Sequence, residues 1–363
     1  MRGSQAHAAL ADESIQAGWS RLYEECPWAT CHQGIGFIDT WYRVYDDVYE
    51  PLVSVGSSDG EVRGLWFFAV ERATDRLVPA GTIHAEYHAW LSSPADAHPF
   101  AIATVAVLKR EYARTRRLGF FFMAPGCPLD WLSQAPRVGV HGAVTPQRRG
   151  LLPVGSGSPA LSSLRKKGNR SRIARLERIG RVSFEQLHTR GQLEEVMPTI
   201  IEHCDARHGD ARPFQSDSHK QELYLAMMER TGLLHATVLR VGDQLAASHL
   251  GPIHGRSVSL GLLAHSPEFA SHSPGKFAIL YLAKMLGEQG YEVLDLTPGG
   301  EYKQRFAHAW DEAPTLELFF SRFDHAVDST YRASARIVKP ILARLGYDPG
   351  RLKRRVIARL TKR

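Results

Sequence analysis

The chain lacks most of the features that assign a protein quickly. Only four of its 363 residues are cysteine (Cys26, Cys31, Cys127 and Cys204), at spacings that match no metal-ligand pattern and suggest no disulfide scaffold. No apolar run approaches the ~18 residues needed to span a bilayer. The opening stretch MRGSQAHAALADESIQAG has no apolar signal-peptide core. A reduced, cytoplasmic protein without a metal is therefore the expectation. A phosphate-binding P-loop is also missing: before Gly275-Lys276 the motif wants a glycine where Ala270 stands, and after it a Ser or Thr where Phe277 stands.

What is present is a globular composition, 44% hydrophobic and 23% charged, in a length that predicts two domains. The net charge of +7 is unevenly placed. Residues 326–363 hold eleven Lys/Arg against Asp328 and Asp348, a local balance of +9, which leaves −2 for the rest of the chain. A second basic run, LRKKGNRSRIARLERIGR (164–181), carries eight Lys/Arg against Glu177. Positive charge is confined to one connector and one tail, so the body does not read as a general nucleic-acid binder. In the tail, Leu352, Val356, Ile357 and Leu360 fall on one helical stripe among Arg and Lys. Such a helix packs on its own protein or lies on an anionic membrane surface or acidic partner.

The two halves follow one plan. The first runs through PLVSV, EVRGLWFFAV and GTIHAEYHAWL, then SSP, a helix from about Asp96 to Arg117, Gly119, the strand FFFMA and Pro125-Gly126. The second runs through LLHATVLRV, LAASHLGPI and RSVSLGLLAHS, then SHSP, a helix from about Lys276 to Gln289, Gly290, the strand YEVLDLT and Pro298-Gly299. This predicts two similar α/β units joined by one basic helix near 164–180.

The copies differ where an anion would bind. Pro94-Ala95-Asp96 opens the first helix with a carboxylate at the cap, which repels phosphate. Gly275 and Lys276 open the second, where the glycine turns the backbone and the helix end presents N–H groups and positive dipole. Elsewhere, alternation in HAEYHAW puts His84, Glu86 and His88 on one strand face. That set reads as a polar cleft face, with Glu86 as base or substrate contact, or as a metal site. His203, Asp205 and His208 read as a polar helix end, and His249 and His265 as further base candidates.

The ordered set SLRKKGNRSRIARLERIGRVSF, IEHCDARHGDARPF, SPG and LDLTPGGEYKQRF, with a weaker echo in FIDTWYRVYDD and HAEYHAWL, resembles tandem GNAT acyltransferases of the FemAB-like, cellulose-biosynthesis-type group. The resemblance covers about residues 35 to 320. It implies a mixed α+β fold with largely antiparallel sheets: an N-terminal GNAT-like unit (20–155), the connector (156–185), a C-terminal GNAT unit (186–325) and a basic tail (326–363). It also implies acetyl-CoA or another acyl-CoA as co-substrate, with pyrophosphate on backbone groups of Ser273, Gly275, Lys276 and Phe277. Tyr302 would be the acid that protonates the leaving thiolate, or a packed ring. Lys303 would bind substrate or simply pack. The acceptor would be an amine of a sugar, polysaccharide precursor or other small molecule. The short HSPGK loop departs from the longer glycine-bearing loop of many such enzymes. The Fem branch takes its donor from aminoacyl-tRNA, and a non-catalytic scaffold in polysaccharide assembly is a third reading.

Overall fold

The computed structural model describes residues 1–112, 114–208 and 214–331. The first half opens with helices α1 (Ser4–Ala11), α2 (Glu13–Glu25) and α3 (Ile35–Val44). A long hairpin of β1 (Tyr49–Ser58) and β2 (Glu61–Glu71) follows, with β3 (Arg76–Pro79) and β4 (Leu91–Ser92) both paired to β2. Next come α4 (Ala97–Glu111), β5 (Arg117–Phe120), β6 (His141–Thr145) and β7 (Arg148–Pro153). The connector holds α5 (Pro159–Arg165) and α6 (Lys167–Glu177), and leads to β8 (Val182–Leu187), α7 (Arg190–His208) and α8 (Lys220–Arg230). The second half then repeats the plan: β9 (Leu234–Val241), β10 (Gln244–His254), β11 (Ser257–Ser259), β12 (Leu262–His265), α9 (Pro274–Glu288), β13 (Val293–Pro298), β14 (Ala309–Glu312) and β15 (Thr315–Phe319).

The sheets are mixed and largely antiparallel, β11 and β13 being the parallel pair among them. The two halves trade their last strands. β7 leaves the first half to pair with β13 and β14, and β15 leaves the second to pair with β5 and β6. The trio β5-β15-β6 therefore mirrors β13-β7-β14. Each half completes the other, and the exchange holds the cleft between them in a fixed register.

Burial follows the pattern of the sequence. Five tryptophans, Trp19, Trp41, Trp66, Trp90 and Trp131, are fully buried in the first core. The apolar face of α9, with Phe277, Leu282 and Leu286, packs against Leu294 and Leu296 of β13 in the second. Five rings and their stacking contacts, at centroid separations such as 4.9 Å for Trp66–Trp90, make the first core the more aromatic of the two.

Several local expectations differ from the structure. The connector is not one helix: Lys166 sits at ψ 135 between α5 and α6, so the chain bends there. The helix expected from Asp96 to Arg117 ends at Glu111, with Tyr112 as its cap. FFFMA is a strand only at its start, because β5 ends at Phe120. HAEYHAW is not a strand. Its backbone bonds elsewhere: the Glu86 amide to His32 Nε2 (3.3 Å), the Tyr87 carbonyl to Gln33 (2.9 Å) and the His88 amide to the Phe122 carbonyl (2.7 Å). Gly81 and Thr82, at φ 83 and 42, turn the chain into this loop. The tail stripe Leu352, Val356, Ile357 and Leu360 lies outside the described residues. Among the described residues no helix is long and apolar enough to cross a membrane.

Candidate active site

Two neighbouring cavities share lining residues: an inner one between the halves and an outer one within the connector and the second half. The outer one, about 880 Å³, runs from α6 across the N-terminus of α9 to Tyr302 and Arg305. The inner one, about 440 Å³, lies under the Gly299-Gly300 loop and reaches Glu86 and α8. Arg207, Leu263 and Tyr302 line both, so these three residues mark the junction.

The outer cavity is built for an anion. α9 starts at Pro274, a residue with no N–H to lose and φ preset for a helix. The turn before it is made by Ser273 in the left-handed region (φ 60, ψ 51), not by Gly275, which is already helical. Gly275 serves a different end: a Cβ there would sit 3.1 Å from the His265 ring, so the glycine keeps this floor of the cleft open. Lys276 Nζ donates to Asn169 Oδ1 at 2.6 Å, and Arg172 reaches Ser273 Oγ at 3.4 Å. Burial lowers the Lys276 pKa, and the neighbouring cations Arg172, Lys166 and Arg305 lower it further. Four cations that push on one another, at a helix N-terminus, mark a place where negative charge is missing. Phe277 does not line the cleft. Its ring is fully buried in the core and its amide donates to the Ser273 carbonyl at 3.4 Å.

The inner cavity is lined by a carboxyl with one unpartnered oxygen. Glu86 Oε2 is out of water and has no hydrogen-bond partner among the described residues. Burial, with help from Asp295, raises its pKa to about 7, while Ser259 and Lys303 oppose the shift. At neutral pH such a group is divided between acid and base forms, the condition that suits proton transfer.

The loop above it is held under tension. Thr297 sits at φ 55, a β-branched residue in the left-handed region, where the pairing of β13 with β7 slips; such a conformation costs about 1–3 kcal/mol. Asp295 Oδ1 accepts the Thr297 amide at 2.8 Å. Lys303 Nζ donates to Thr297 Oγ1 at 2.7 Å and to the Thr297 and Pro298 carbonyls at 3.4 and 3.3 Å. Lys303 is thus a clamp on the loop. Gly299 and Gly300 continue at φ 80 and 71. A Cβ on Gly300 would lie 3.0 Å from Tyr302 Cε1, so the second glycine makes room for the ring. Arg207 stacks 5.5 Å from that ring and donates to the Leu263 carbonyl at 2.6 Å.

Asp295 also ties the halves together. It accepts from Tyr87 Oη (2.8 Å) and from Arg149 (3.1 Å), and Arg149 bonds Asp311 as well (2.7 Å). Tyr87 follows Glu86 in the chain, so this buried network sets where the Glu86 carboxyl stands.

Of the expected trio, His84 and Glu86 both line the inner cavity, whereas His88 does not. His84 Nε2 bonds Asp217 at 2.7 Å beside Tyr45, and His88 Nε2 bonds the Thr82 carbonyl at 3.0 Å. Among the described residues no three His, Cys, Asp or Glu side chains gather to hold a metal. His249 does not line either cavity; it is fully buried against the Ser259 carbonyl (3.0 Å), with its pKa driven to about 3 by burial. His265 does line the outer cavity, with its pKa lowered by burial and by Arg207. His203 and Asp205 are buried on the inner face of α7 and not at a solvated end. Sequence reasoning missed Asn169, Arg207, Lys220, Asp295 and Thr297. Each stood inside a quoted segment or beside one, but only the fold brings them to one cleft.

Residues 163–306 match the family model described as "Acetyltransferase (GNAT) domain". No curated protein sequence matches the chain. Among solved structures, the chain is similar to FemX (TM-score 0.54, 11% identity, covering 83% of this chain and 95% of that one). It is likewise similar to a tandem GNAT protein from the clavulanic acid biosynthesis pathway, in a structure without AcCoA (0.54, 12%, 85% and 95%). The C-terminal domain of a putative lysylphosphatidylglycerol synthetase from Agrobacterium fabrum is similar too (0.52, 14%, 91% and 96%). The chain has the mixed α/β fold of tandem GNAT proteins, and the family match falls on residues 163–306, across the connector and the second unit.

Proposed function

We propose that this protein is an N-acyltransferase that moves an acyl group, acetyl in the simplest case, from acyl-CoA to the amine of a small molecule such as an amino sugar. The observation that supports it is the joining of a cationic cleft at a helix N-terminus to a cavity lined by a buried carboxyl with one unpartnered oxygen, through a junction lined by Tyr302. In this reading Ser273, Gly275, Lys276, Asn169 and Arg172 hold the carrier's phosphates, and the carrier supplies a thioester at the junction. Glu86 takes one proton from the acceptor ammonium, which frees the nitrogen lone pair to attack the thioester carbonyl and form the C–N bond. As the C–S bond breaks, Tyr302 gives its proton to the departing sulfur and regains one from the second proton on nitrogen, leaving a neutral amide and a thiol. Lys303 and Asp295 hold the loop that carries Tyr302.

A second reading has a specific observation of its own. α6, beside the outer cavity, exposes Lys167, Arg170, Arg172 and Arg175, cations that can meet nucleic-acid phosphates. An aminoacyl-tRNA donor would then deliver an ester instead of a thioester. Thermal stabilisation by acetyl-CoA, longer acyl-CoAs and aminoacyl-tRNA, compared at equal saturation, separates the two. A ligand at about 100 times its dissociation constant adds roughly 2.7 kcal/mol. Stabilisation by none of the three overturns both readings.

A further inference from the structure

The inner cavity has an uneven set of charges. Its volume, about 440 Å³, falls near the small end of the ~300–1,000 Å³ usual for small-molecule sites. Glu86 supplies its one carboxyl, and against it stand Lys303, Lys220 and Arg207. Lys303 is already engaged with the loop carbonyls and Thr297. Neither Lys220 nor Arg207 has an ion pair to a carboxylate among the described residues: Lys220 Nζ sits 5.0 Å over the Phe214 ring, and the exposed Arg207 stacks on Tyr302 and donates to the Leu263 carbonyl. Asp205 and Asp217 act on Lys220 from outside the lining. Asp205 accepts the Phe214 amide, and Asp217 is taken up by Tyr45, His84 and the His219 amide. Burial lowers the Lys220 pKa against the opposing pull of Cys204, Asp217 and Asp205, so its ammonium is partly desolvated.

A cavity with a buried carboxyl at one wall and unpaired cations at another is complementary to a zwitterion. We propose that the acceptor is a primary amine that also carries an anionic group, carboxylate or phosphate, seated with its amine at Glu86 and its anion at Lys220 and Arg207. This rests on the acyl-transfer reading and narrows its substrate class. A neutral amine of the same size leaves the two cations uncompensated, whereas the anionic one forms charge-assisted hydrogen bonds to them. Selectivity arises at the far wall and not at the reacting atoms, so it is read in KM more than in kcat.

The test uses matched pairs of acceptors with acetyl-CoA as donor: glucosamine against glucosamine 6-phosphate, and cadaverine against lysine. The first pair reports phosphate and the second carboxylate. The charged member of at least one pair is expected to show a KM about tenfold lower, equivalent to ~1.4 kcal/mol. Lys220→Met should bring the charged-to-neutral ratio of kcat/KM close to one, and Lys220→Arg should retain it. Arg207 is the poorer choice because it also lines the outer cavity. Equal KM values within both pairs overturn the proposal, as does a Lys220→Met variant that keeps the wild-type ratio. If acyl transfer is absent with every acceptor, the acyl-transfer reading has failed, and calorimetric titration of lysine and glucosamine 6-phosphate without donor still decides the charge argument. Binding no tighter than that of cadaverine and glucosamine overturns it.

Discussion

The N-termini of α4 and α9 hold equivalent places in the two halves, yet only one opens on a cavity fit for a phosphate. At α4 the cap residue is Asp96, whose carboxylate accepts from Ser93 Oγ at 2.9 Å and leaves the helix amides uncapped by its side chain. At α9 the corresponding region offers Lys276, Asn169 and Arg172 around Ser273. The halves share element order and the traded strands β7 and β15, although the first half's other strands lie in separate four- and three-stranded sheets and most of the second's in one eight-stranded sheet. In the proposed reading one half supplies the anion site and the other brings Glu86 to the inner cavity. Specialisation here needed only a few side chains, because the geometry was already present twice.

The comparison is tested most severely at the junction. Tyr302→Phe removes one hydroxyl and little volume; turnover should fall by roughly 10²–10⁴-fold with donor affinity kept. Steady-state kinetics beside donor titration would show it, and unchanged turnover returns Tyr302 to a packing role. Glu86→Gln should cost a similar factor. In the wild type the rate should rise with pH through about 7 as Glu86 ionises. The variant should lose that limb.

The same residue has a stability signature of opposite sign. Its folded pKa of about 7 lies above the reference value of 4.5, so the protonated form is favoured in the fold. The stabilisation is full below about 4.5 and is lost as pH rises through about 7. Melting curves should therefore show Glu86→Gln gaining on the wild type above pH 7 while losing activity. A variant that gains nothing there would mean that Glu86 is not buried as an isolated acid.

The next effect belongs to the tie between halves. Arg149→Met leaves Asp295 buried beside Glu86 without its guanidinium, and breaking such a pair costs about 3–5 kcal/mol. Denaturant unfolding measures it; a loss below ~1 kcal/mol would show that the network does not hold the halves. The smallest effect should come from the other helix end. Asp96→Asn removes the carboxylate that distinguishes α4, yet donor affinity should not change, since the residues lining the outer cavity all lie between Leu152 and His308.

Much of this was legible in the sequence, and the reasons are local. The repeated plan, the helix after SHSP and the strand before Pro298-Gly299 are set by periodicity and by glycine and proline, which act within a few residues. Ser273, Gly275 and Lys276 do line the outer cavity, and Tyr302 and Glu86 line or join the inner one. What was not legible depends on distant partners. The trade of β7 for β15 hinges on pairing across more than 140 residues, between Leu151 and Asp295 for instance, and short turns at Pro146 and Pro314 do not announce which sheet a strand will join. HAEYHAW alternates like a strand, but His32 and Gln33 take its backbone bonds. The left-handed turn fell on Ser273 although Gly275 stood nearby, because the glycine was needed where the His265 ring approaches.

The measurement that bears most directly on the division between the two helix ends is calorimetric titration of acetyl-CoA into the wild type, Gly275→Asp and Asp96→Asn, each checked for an intact melting transition. Gly275→Asp puts a side chain and a negative charge on the floor of the outer cavity. The expected result is saturable binding in the wild type, the same binding in Asp96→Asn and none in Gly275→Asp. Equal affinity in wild type and Gly275→Asp, or a loss confined to Asp96→Asn, would contradict the assignment of the donor site to the second helix.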